Sequence, residues 1–471
     1  MAFWFHRNPL KATAPVNFDL KMLAMDSQAL KLCRQVAVIR RGASFALEPS
    51  SQSPSPTSCD SDLRQARNHL LDLLTDPGND VGTVEASLNT YLSLFVGLLL
   101  APDEKGGESK LRNSLRFRWT QSMLGNSPLV QSDAVFELVS ICQNVGIWHM
   151  KRASTVAAKE DINMDEAKDV HKCLRKAAGF FQAMKDKYVG QLREQPVPGS
   201  DLDSRVVSAY TNQCTAEAQE VTIGRAIEMK HAPGLISALA HETSKMYTSA
   251  ADSLAGLEPS KFGRWRKFLI LKAVFYLSYA YCYAGENLLA QEKCGEAIRA
   301  LQESHKCYQD AVQICKQYAG MKGPGTTARL DQHLFFRKLA PLVKRTLDKC
   351  ERENGFIFHQ KVPKDAPELE LRATYGLVSP EDFQLPPHDK AWTPVVYAAF
   401  YKAAIKAEGD LPAVQEKSVS HSAADPKTSS GCSKARSTND VRMSNCNPSV
   451  CIFRHCAAIR RVSLGESTRL C

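Results

Sequence analysis

Residues 62 to 318 consist largely of segments in which apolar side chains recur with a period of about 3.6 residues. This period places the apolar side chains on one face of an α-helix, and that face must be buried against a neighbour. The connections between segments are short, so consecutive helices are expected to pack antiparallel. The sequence therefore predicts a mainly α-helical protein. The predicted helices cover residues 62–76, 132–154, 165–192, 203–230, 234–254, 261–289 and 293–318.

The stretch 280–308 carries a second periodic signal. Ala-x-x-Tyr-Ala-Gly, then Glu-Ala-Ile, then Tyr follow one another at roughly the spacing of a tetratricopeptide unit. One or two such units predict local stacking of helix hairpins rather than a full superhelix.

Two apolar runs, residues 90–101 and 268–284, raise the question of a membrane span. A span needs ~20 nearly uncharged apolar residues. The first run is too short, and the second contains Lys272 and four tyrosines. Both are interpreted as core helices. The N-terminus also has no apolar stretch of the length found in a signal peptide.

A break between two helices is predicted at His231-Ala232-Pro233-Gly234. Proline is acceptable in the first turn of a helix and breaks a helix interior, so these residues indicate a tight corner. Leu235, Ile236 and Leu239 follow immediately. Either all three enter the core, or some of them form a small apolar groove with the preceding helix. Thr222 and Arg225 would then lie beside that groove.

The composition restricts the class of partner. A formal net charge of +10 on 471 residues is moderately basic. Such a charge favours acidic proteins or anionic membrane surfaces and is not typical of a dedicated nucleic-acid binder. Two basic stripes on predicted helices point the same way, although a solvated helix face is the simpler interpretation. They comprise Lys151, Arg152, Lys168, Lys172, Arg175 and Lys176, and then Arg264, Arg266 and Lys267.

No catalytic set or metal site can be assembled from the sequence, so we expect no cofactor and no enzyme activity. Two groups of carboxylates lie at helix starts, where acids complement the helix dipole and cap the helix: Asp161, Asp165, Glu166 and Asp169, and then Asp201 and Asp203. His171 and His241 are isolated. The tail residues Cys446, Cys451, His455 and Cys456 lack the regular spacing of a zinc site. The 15 cysteines have no framework spacing, which predicts a reducing compartment without disulfides.

Three further segments differ from the helical body. Residues 34–60 end in Ser, Pro and Thr and are predicted to be a disordered insertion. A further helix is predicted at 333–354, and an extended arm with several prolines follows it to about residue 387. Residues 405–471 have the composition of a disordered tail.

The chain resembles the BRO domain family in several separate stretches. They are HRNPLKATAPV at 6–16, AQEVTIGRAIEMKHAPGLISALA at 218–240, GEAIRALQES at 295–304 and RENGFIFHQKVPKDAPELELRATYGLV at 352–378. The resemblance covers residues 1–33 and about 61–400. It implies a curved, boomerang-shaped domain over residues 1–404, with tetratricopeptide-like helical hairpins and a small N-terminal β-sheet.

The resemblance also implies a function. Members of the family are non-enzymatic adaptors of the ESCRT machinery, and their groove binds the C-terminal amphipathic helix of ESCRT-III charged multivesicular body proteins. The positions that match the groove, with Ile236 and Lys168 added, are Thr222, Arg225, Leu235, Ile236, Leu239, Tyr375 and Lys168. Relatives often have an aromatic residue where this chain has Thr222, so that part of the groove is expected to be shallower here. The alternative is a generic helical scaffold with an unrelated partner.

This chain departs from the family pattern in two places. The first concerns the continuity of the domain, and the second concerns the membrane anchor. The insertion at 34–60 interrupts a place where the family runs straight on. Related chains end in a Cys-a-a-X prenylation box, whereas here the equivalent Cys432 is followed by 39 more residues and the sequence ends at Cys471. We therefore expect a cytoplasmic protein without that lipid anchor. It would still be recruited to endosomal membranes or the nuclear envelope, where peripheral contact is compatible with its basic charge.

Overall fold

The computed structural model describes residues 4–18, 20, 23–25, 63–103, 106–159, 162–369, 373 and 375–401. The predicted insertion at 34–60, the predicted tail at 405–471 and Cys432 lie outside the described residues.

Two helices and a β-hairpin open the helical body. Helix α1 spans Leu63–Thr75 and α2 spans Val81–Leu99, and the side chain of Asp80 caps α2 by accepting from the Thr83 N–H. Strand β1 (Phe117–Gln121) pairs antiparallel with β2 (Gly125–Gln131). Thr13 of the N-terminal segment bridges to Trp119 on the outer side of β1. The predicted small sheet is therefore confirmed, but its strands come from residues 117–131, and the described part of the N-terminal segment adds one bridge to it.

Helices make up most of the remaining chain. They are α3 (Ala134–Ala157), α4 (Met164–Ala183), α5 (Ser204–Glu228), α6 (Pro233–Ser253), α7 (Pro259–Ala290), α8 (Cys294–Gly320), α9 (Leu334–Glu353) and the short α10 (Pro394–Ala398). From α3 to α9, each helix packs on the next. Short connections make such neighbours antiparallel. The predicted mainly helical fold and its helical segments are confirmed.

Helix α7 is long and apolar enough to cross a membrane by length and composition alone. However, 72% of its most apolar window is buried against other parts of the protein. Lys272 is the charged residue within the apolar run 268–284, and it is 0% exposed. Its ammonium group donates to both carboxylate oxygens of Glu220 on α5, at 2.8 and 3.0 Å. The structure thus places α7 as a core helix, as the sequence predicted for residues 268–284.

The N-terminal segment lies across one face of the helices and is held by buried polar contacts. The indole Nε1 of Trp4 donates to Glu220 at 2.6 Å, and Arg7 forms a two-pronged ion pair with Glu217, with its shortest N–O distance 2.7 Å. A buried carboxylate is tolerated only when it is paired and hydrogen-bonded. Glu217 and Glu220 therefore fix the segment to α5.

The arm that follows α9 crosses the helices in the reverse of chain order. Its contacts are Lys364 with Arg299 on α8, Gly376 with Leu239 on α6 and Gln219 on α5, Ser379 and Glu381 with Arg175 on α4, and Trp392 with Gly97 on α2. The arm therefore joins elements that are distant in sequence, and Tyr375 directly precedes the residue that contacts Leu239 and Gln219.

Candidate functional site

The corner between α5 and α6 is built as the sequence predicts. Lys230 adopts a left-handed conformation with φ 55°, and the N–H of His231 donates to the carbonyl of Ala226 at 3.0 Å. This six-to-one bond closes the end of a helix in the Schellman arrangement. Pro233 then opens α6 at its first position. The helix therefore ends and restarts within a few residues.

Replacing Lys230 with glycine is expected to raise the free energy of unfolding by about 0.5–1 kcal/mol. The left-handed conformation is strained for a residue with a Cβ and free for glycine. Chemical denaturation of the wild type and the variant measures the difference. Lys230→Ala is the matched control, because it removes the same side chain and keeps the Cβ. An equal gain in both variants would contradict the strain argument.

The three apolar residues after the corner differ in exposure. Leu235 is half-buried, whereas Ile236 is 2% and Leu239 is 1% exposed. Leu239 lies beneath the arm: a Cβ on Gly376 would stand 3.5 Å from its Cδ2. Of the three, only Leu235 therefore offers surface to a partner while the arm is docked.

A cavity of about 350 Å³ opens beside the end of α5. Lys168 of α4, together with Thr222 and Arg225 of α5, lies on its wall. The remaining lining is largely apolar or aromatic, and it includes Trp4, Phe5, Met164, His171, Tyr276, His333 and Phe335. The structure thus brings three of the seven predicted groove residues together around one opening.

The arm connects this opening with the corner. Gln219 donates to the carbonyl of Gly376 at 2.9 Å and accepts from the N–H of Val378 at 2.7 Å. Thr222 follows Gln219 by three residues, so both lie on the same flank of α5. Tyr375 precedes Gly376 and is 61% exposed. One flank of α5 therefore contacts the arm at Gln219 and lines the cavity at Thr222.

The charged lining residues of the cavity are Lys168, Arg225, Glu220 and Glu228. Glu220 is paired with the buried Lys272, and the two cations are weakly paired. Arg225 reaches Glu228 at 3.4 Å, and Lys168 reaches Asp165 at 3.0 Å, with both side chains of the second pair largely exposed. Exposed pairs of this kind contribute little stability. Both cations are therefore available for an acidic partner.

Part of the predicted basic stripe serves the fold instead. Arg175 donates to the carbonyl of Ser379 at 2.9 Å, and Lys176 pairs with Glu85. In the second stripe, Arg264 donates to the carbonyl of Gly323 at 2.8 Å. These cations hold the arm and loops in place and are not free surface charges.

The predicted capping role is confirmed for Glu166 and Asp203 but not for Asp201, which accepts from the N–H of Ser122 at 2.7 Å, or for Asp169, which pairs with Arg152. Glu166 and Asn163 form a capping box at the start of α4. Asp203 accepts from the N–H of Arg205 at 2.9 Å at the start of α5. Within the described parts of the chain, no group of three or more His, Cys, Asp or Glu side chains could hold a metal ion.

Sequence reasoning missed an exposed residue at the corner and part of the cavity wall. Met229 is 55% exposed and lies seven residues after Thr222, on the same face of the helix end. Its position at the corner could have been read from helical spacing. The cavity wall formed by Trp4 and His333 depends on contacts between distant segments, which no local pattern reveals.

The comparisons with known proteins agree with the architecture. The family model of the BRO1-like domain matches residues 50–400. BRO1 domain-containing protein BROX from Homo sapiens is 49% identical over 400 residues, covering 85% of this chain and 91% of that protein. The protein of the same name from Danio rerio is 45% identical over 440 residues, covering 92% of this chain and 99% of that protein.

Two solved structures share the fold. One is described as "ALIX BRO1 CHMP4C complex", with TM-score 0.56 and 18% identity over 83% of this chain and 98% of that one. The other is described as "Structure basis for endosomal targeting by the Bro1 domain", with TM-score 0.54 and 19% identity over 85% and 96% of the two chains. At this identity the likeness concerns the fold alone.

Proposed function

This chain belongs to the BRO1-like domain family, and on that premise we propose that it is a non-enzymatic ESCRT-associated adaptor that binds the C-terminal amphipathic helix of an ESCRT-III charged multivesicular body protein. The proposed binding surface comprises Thr222, Arg225, Leu235, Tyr375 and Lys168, around the cavity and corner of α5. Ile236 and Leu239 support it from below.

The proposed partner rests on two supports. A protein of the same fold has been solved as an "ALIX BRO1 CHMP4C complex". The surface of this chain independently has the chemistry that an acidic amphipathic helix requires, because an apolar cavity is bordered by Lys168 and Arg225. Such a helix places its apolar side chains into a groove and its carboxylates against the bordering cations. The cavity beside weakly paired cations is the observation that carries the proposal.

The expected affinity follows from the number of apolar side chains that the partner helix can bury. Burying one leucine or methionine side chain contributes roughly 1.5–3 kcal/mol. A few such side chains, minus the cost of ordering the helix and losing its free motion, give a dissociation constant on the order of micromolar. The half-buried Thr222 adds little apolar surface, so the groove at this point is shallow.

The cellular setting is proposed on the same basis. We place the protein in the cytoplasm, with recruitment to endosomal membranes or the nuclear envelope through its ESCRT-III partner. The net charge of +10 is compatible with peripheral contact to anionic membranes. We propose neither nucleic-acid binding nor catalysis.

Arg225→Glu is expected to weaken binding of the helix by at least about tenfold, because it replaces attraction by repulsion at the opening of the cavity. The measurement is fluorescence anisotropy of a labelled C-terminal helix of CHMP4C with the full chain. Thr222→Asp should have an effect in the same direction. Lys316→Glu, which changes an exposed cation on α8 away from the cavity, is the matched control.

Three outcomes are informative. Loss of binding in Arg225→Glu but not in Lys316→Glu supports the groove. Equal losses in both variants reduce the effect to net charge. No binding by folded wild type removes the proposed partner and favours the generic helical scaffold. Leu239→Asp is not suited to this test, because it buries an unpaired charge and endangers the fold.

A further inference from the structure

A second cleft lies on the other side of the end of α5, between α5, α7 and α9. Its volume is about 990 Å³. It adjoins the first cavity, because Gly224, Glu228 and Phe335 line both. The residues that line only the cleft are Ile227, Tyr279, Tyr283, Leu334, Arg337, Lys338, Pro341, Leu342 and Arg345.

The floor of the cleft is aromatic and recessed. Tyr279 and Phe335 stack with their ring centroids 4.9 Å apart and their planes at 11°. Tyr279 is 2% and Tyr283 is 8% exposed, so both rings lie at the base of the cleft and do not protrude. A ligand must therefore insert a side chain to reach them.

The rim of the cleft carries three exposed cations on α9, namely Arg337, Lys338 and Arg345. Within the described parts of the chain, none of the three forms an ion pair within 4.0 Å, although other exposed lysines of the same domain do. Glu228 is the one carboxylate among the lining residues. The rim therefore has an excess of positive charge.

Pro341 adds a hydrogen-bond acceptor to the same wall. It lies inside α9 and has no backbone N–H. The carbonyl of Arg337, four residues earlier, consequently lacks its usual donor within the helix. A peptide N–H from a ligand could satisfy this carbonyl beside the guanidinium groups.

We propose that this cleft binds an acidic peptide segment that inserts an aromatic or aliphatic side chain onto the Tyr279–Phe335 floor while its carboxylates meet Arg337, Lys338 and Arg345. Arginine forks match the geometry of carboxylates, and the exposed rim leaves them accessible. The recessed floor disfavours a membrane surface, because a bilayer contacts protruding apolar side chains. This second site adjoins the groove for the ESCRT-III helix and shares Gly224, Glu228 and Phe335 with its wall, but it uses a different set of cations.

The test uses the full chain and a fluorescein-labelled 12-residue peptide of glutamate, leucine and one benzoyl-phenylalanine. Binding is measured by anisotropy, and ultraviolet crosslinking followed by mass spectrometry locates the inserted side chain. We expect crosslinks to Tyr279, Tyr283 or Leu342. We also expect an affinity loss of at least about tenfold in the Arg337→Glu/Arg345→Glu variant.

Two control variants distinguish binding in the cleft from a general effect of charge and from binding in the first cavity. Lys344→Glu changes an exposed cation on the same helix that does not line the cleft, so it should retain wild-type affinity. Lys168→Glu, which alters the first cavity and neither lines the cleft nor pairs with a residue that lines it, should leave the crosslinks in the cleft unchanged. Equal losses in Lys344→Glu and the double variant would overturn the proposal, as would crosslinks confined to the first cavity.

Anionic vesicles of phosphatidylserine and phosphatidylcholine provide the remaining comparison. If the double variant loses vesicle binding and retains peptide binding, the cations serve a membrane and the peptide site is refuted. If it loses peptide binding alone, the proposal stands. This result is independent of whether the CHMP4C helix binds near Arg225.

Discussion

Lowering the pH from 7 to 5 is expected to reduce the free energy of unfolding by about 6 kcal/mol, with about 2 kcal/mol from each of three buried histidines. Burial lowers the pKa of His6, His149 and His333 to about 3 from an ordinary 6.5. Nearby cations add to this effect: Arg264 and Arg7 at His6, Lys176 and Lys172 at His149, and Lys272 and Arg337 at His333.

The direction follows from proton uptake. Well above pH 6.5 the three histidines are neutral in both the folded and the unfolded chain, so there they give stability no dependence on pH. Between pH 6.5 and 3 the unfolded chain binds protons that the folded protein does not, and each group lowers stability by about 1.4 kcal/mol per pH unit. The loss therefore begins just below neutral pH, before most carboxylates are protonated.

Urea denaturation at pH 7, 6 and 5 measures this effect. His149 provides a clean variant, since its ring stacks on Phe180 at 5.9 Å and neither ring nitrogen has a hydrogen-bond partner among the described residues. His149→Phe should reduce the pH dependence by about one third while keeping the aromatic packing. An unchanged slope in this variant would show that His149 is already protonated in the folded protein or does not contribute.

Local patterns predict the helices of this domain well, because each helix buries one continuous face. The corner at Pro233 could also be predicted, since a proline in a first turn has a direct physical meaning. The hairpin at 117–131 does not follow from the sequence, whose pattern over residues 62–318 predicts mostly helix. Its pairing depends on Phe117 and Trp119 packing into the core rather than on a strong local alternation.

The buried acids of α5 and the position of Leu239 beneath the arm depend on contacts between distant segments, which the local sequence does not reveal. Glu217 and Glu220 look like surface residues of a polar helix, yet Arg7 and Lys272 bury them. The seven predicted groove residues came from a family resemblance, and their binding role stays a prediction. The structure adds that Leu239 lies beneath the arm, a relation that depends on a chain segment more than 130 positions away.

Replacing Gly179 with alanine is expected to release the arm from α4. An alanine inside a helix ordinarily adds about 1 kcal/mol of stability relative to glycine. At this position, however, the new Cβ would overlap the backbone carbonyl oxygen of Glu381, which cannot move aside as a flexible side chain would. We expect the docked arm to lose about 3 kcal/mol of local stability, which corresponds to a roughly hundredfold larger open population.

Amide hydrogen exchange at Glu381 reports this opening, because its N–H donates to the carbonyl of Arg175 at 3.1 Å. The matched control is Gly190→Ala, since a Cβ at Gly190 meets open space. If Tyr375 belongs to the proposed groove, Gly179→Ala should also weaken the proposed binding of the CHMP4C helix, whereas Gly190→Ala should not. Faster exchange with unchanged binding would exclude Tyr375 from the binding surface, and unchanged exchange would show that the arm accommodates the new Cβ by a local shift while it stays docked on α4.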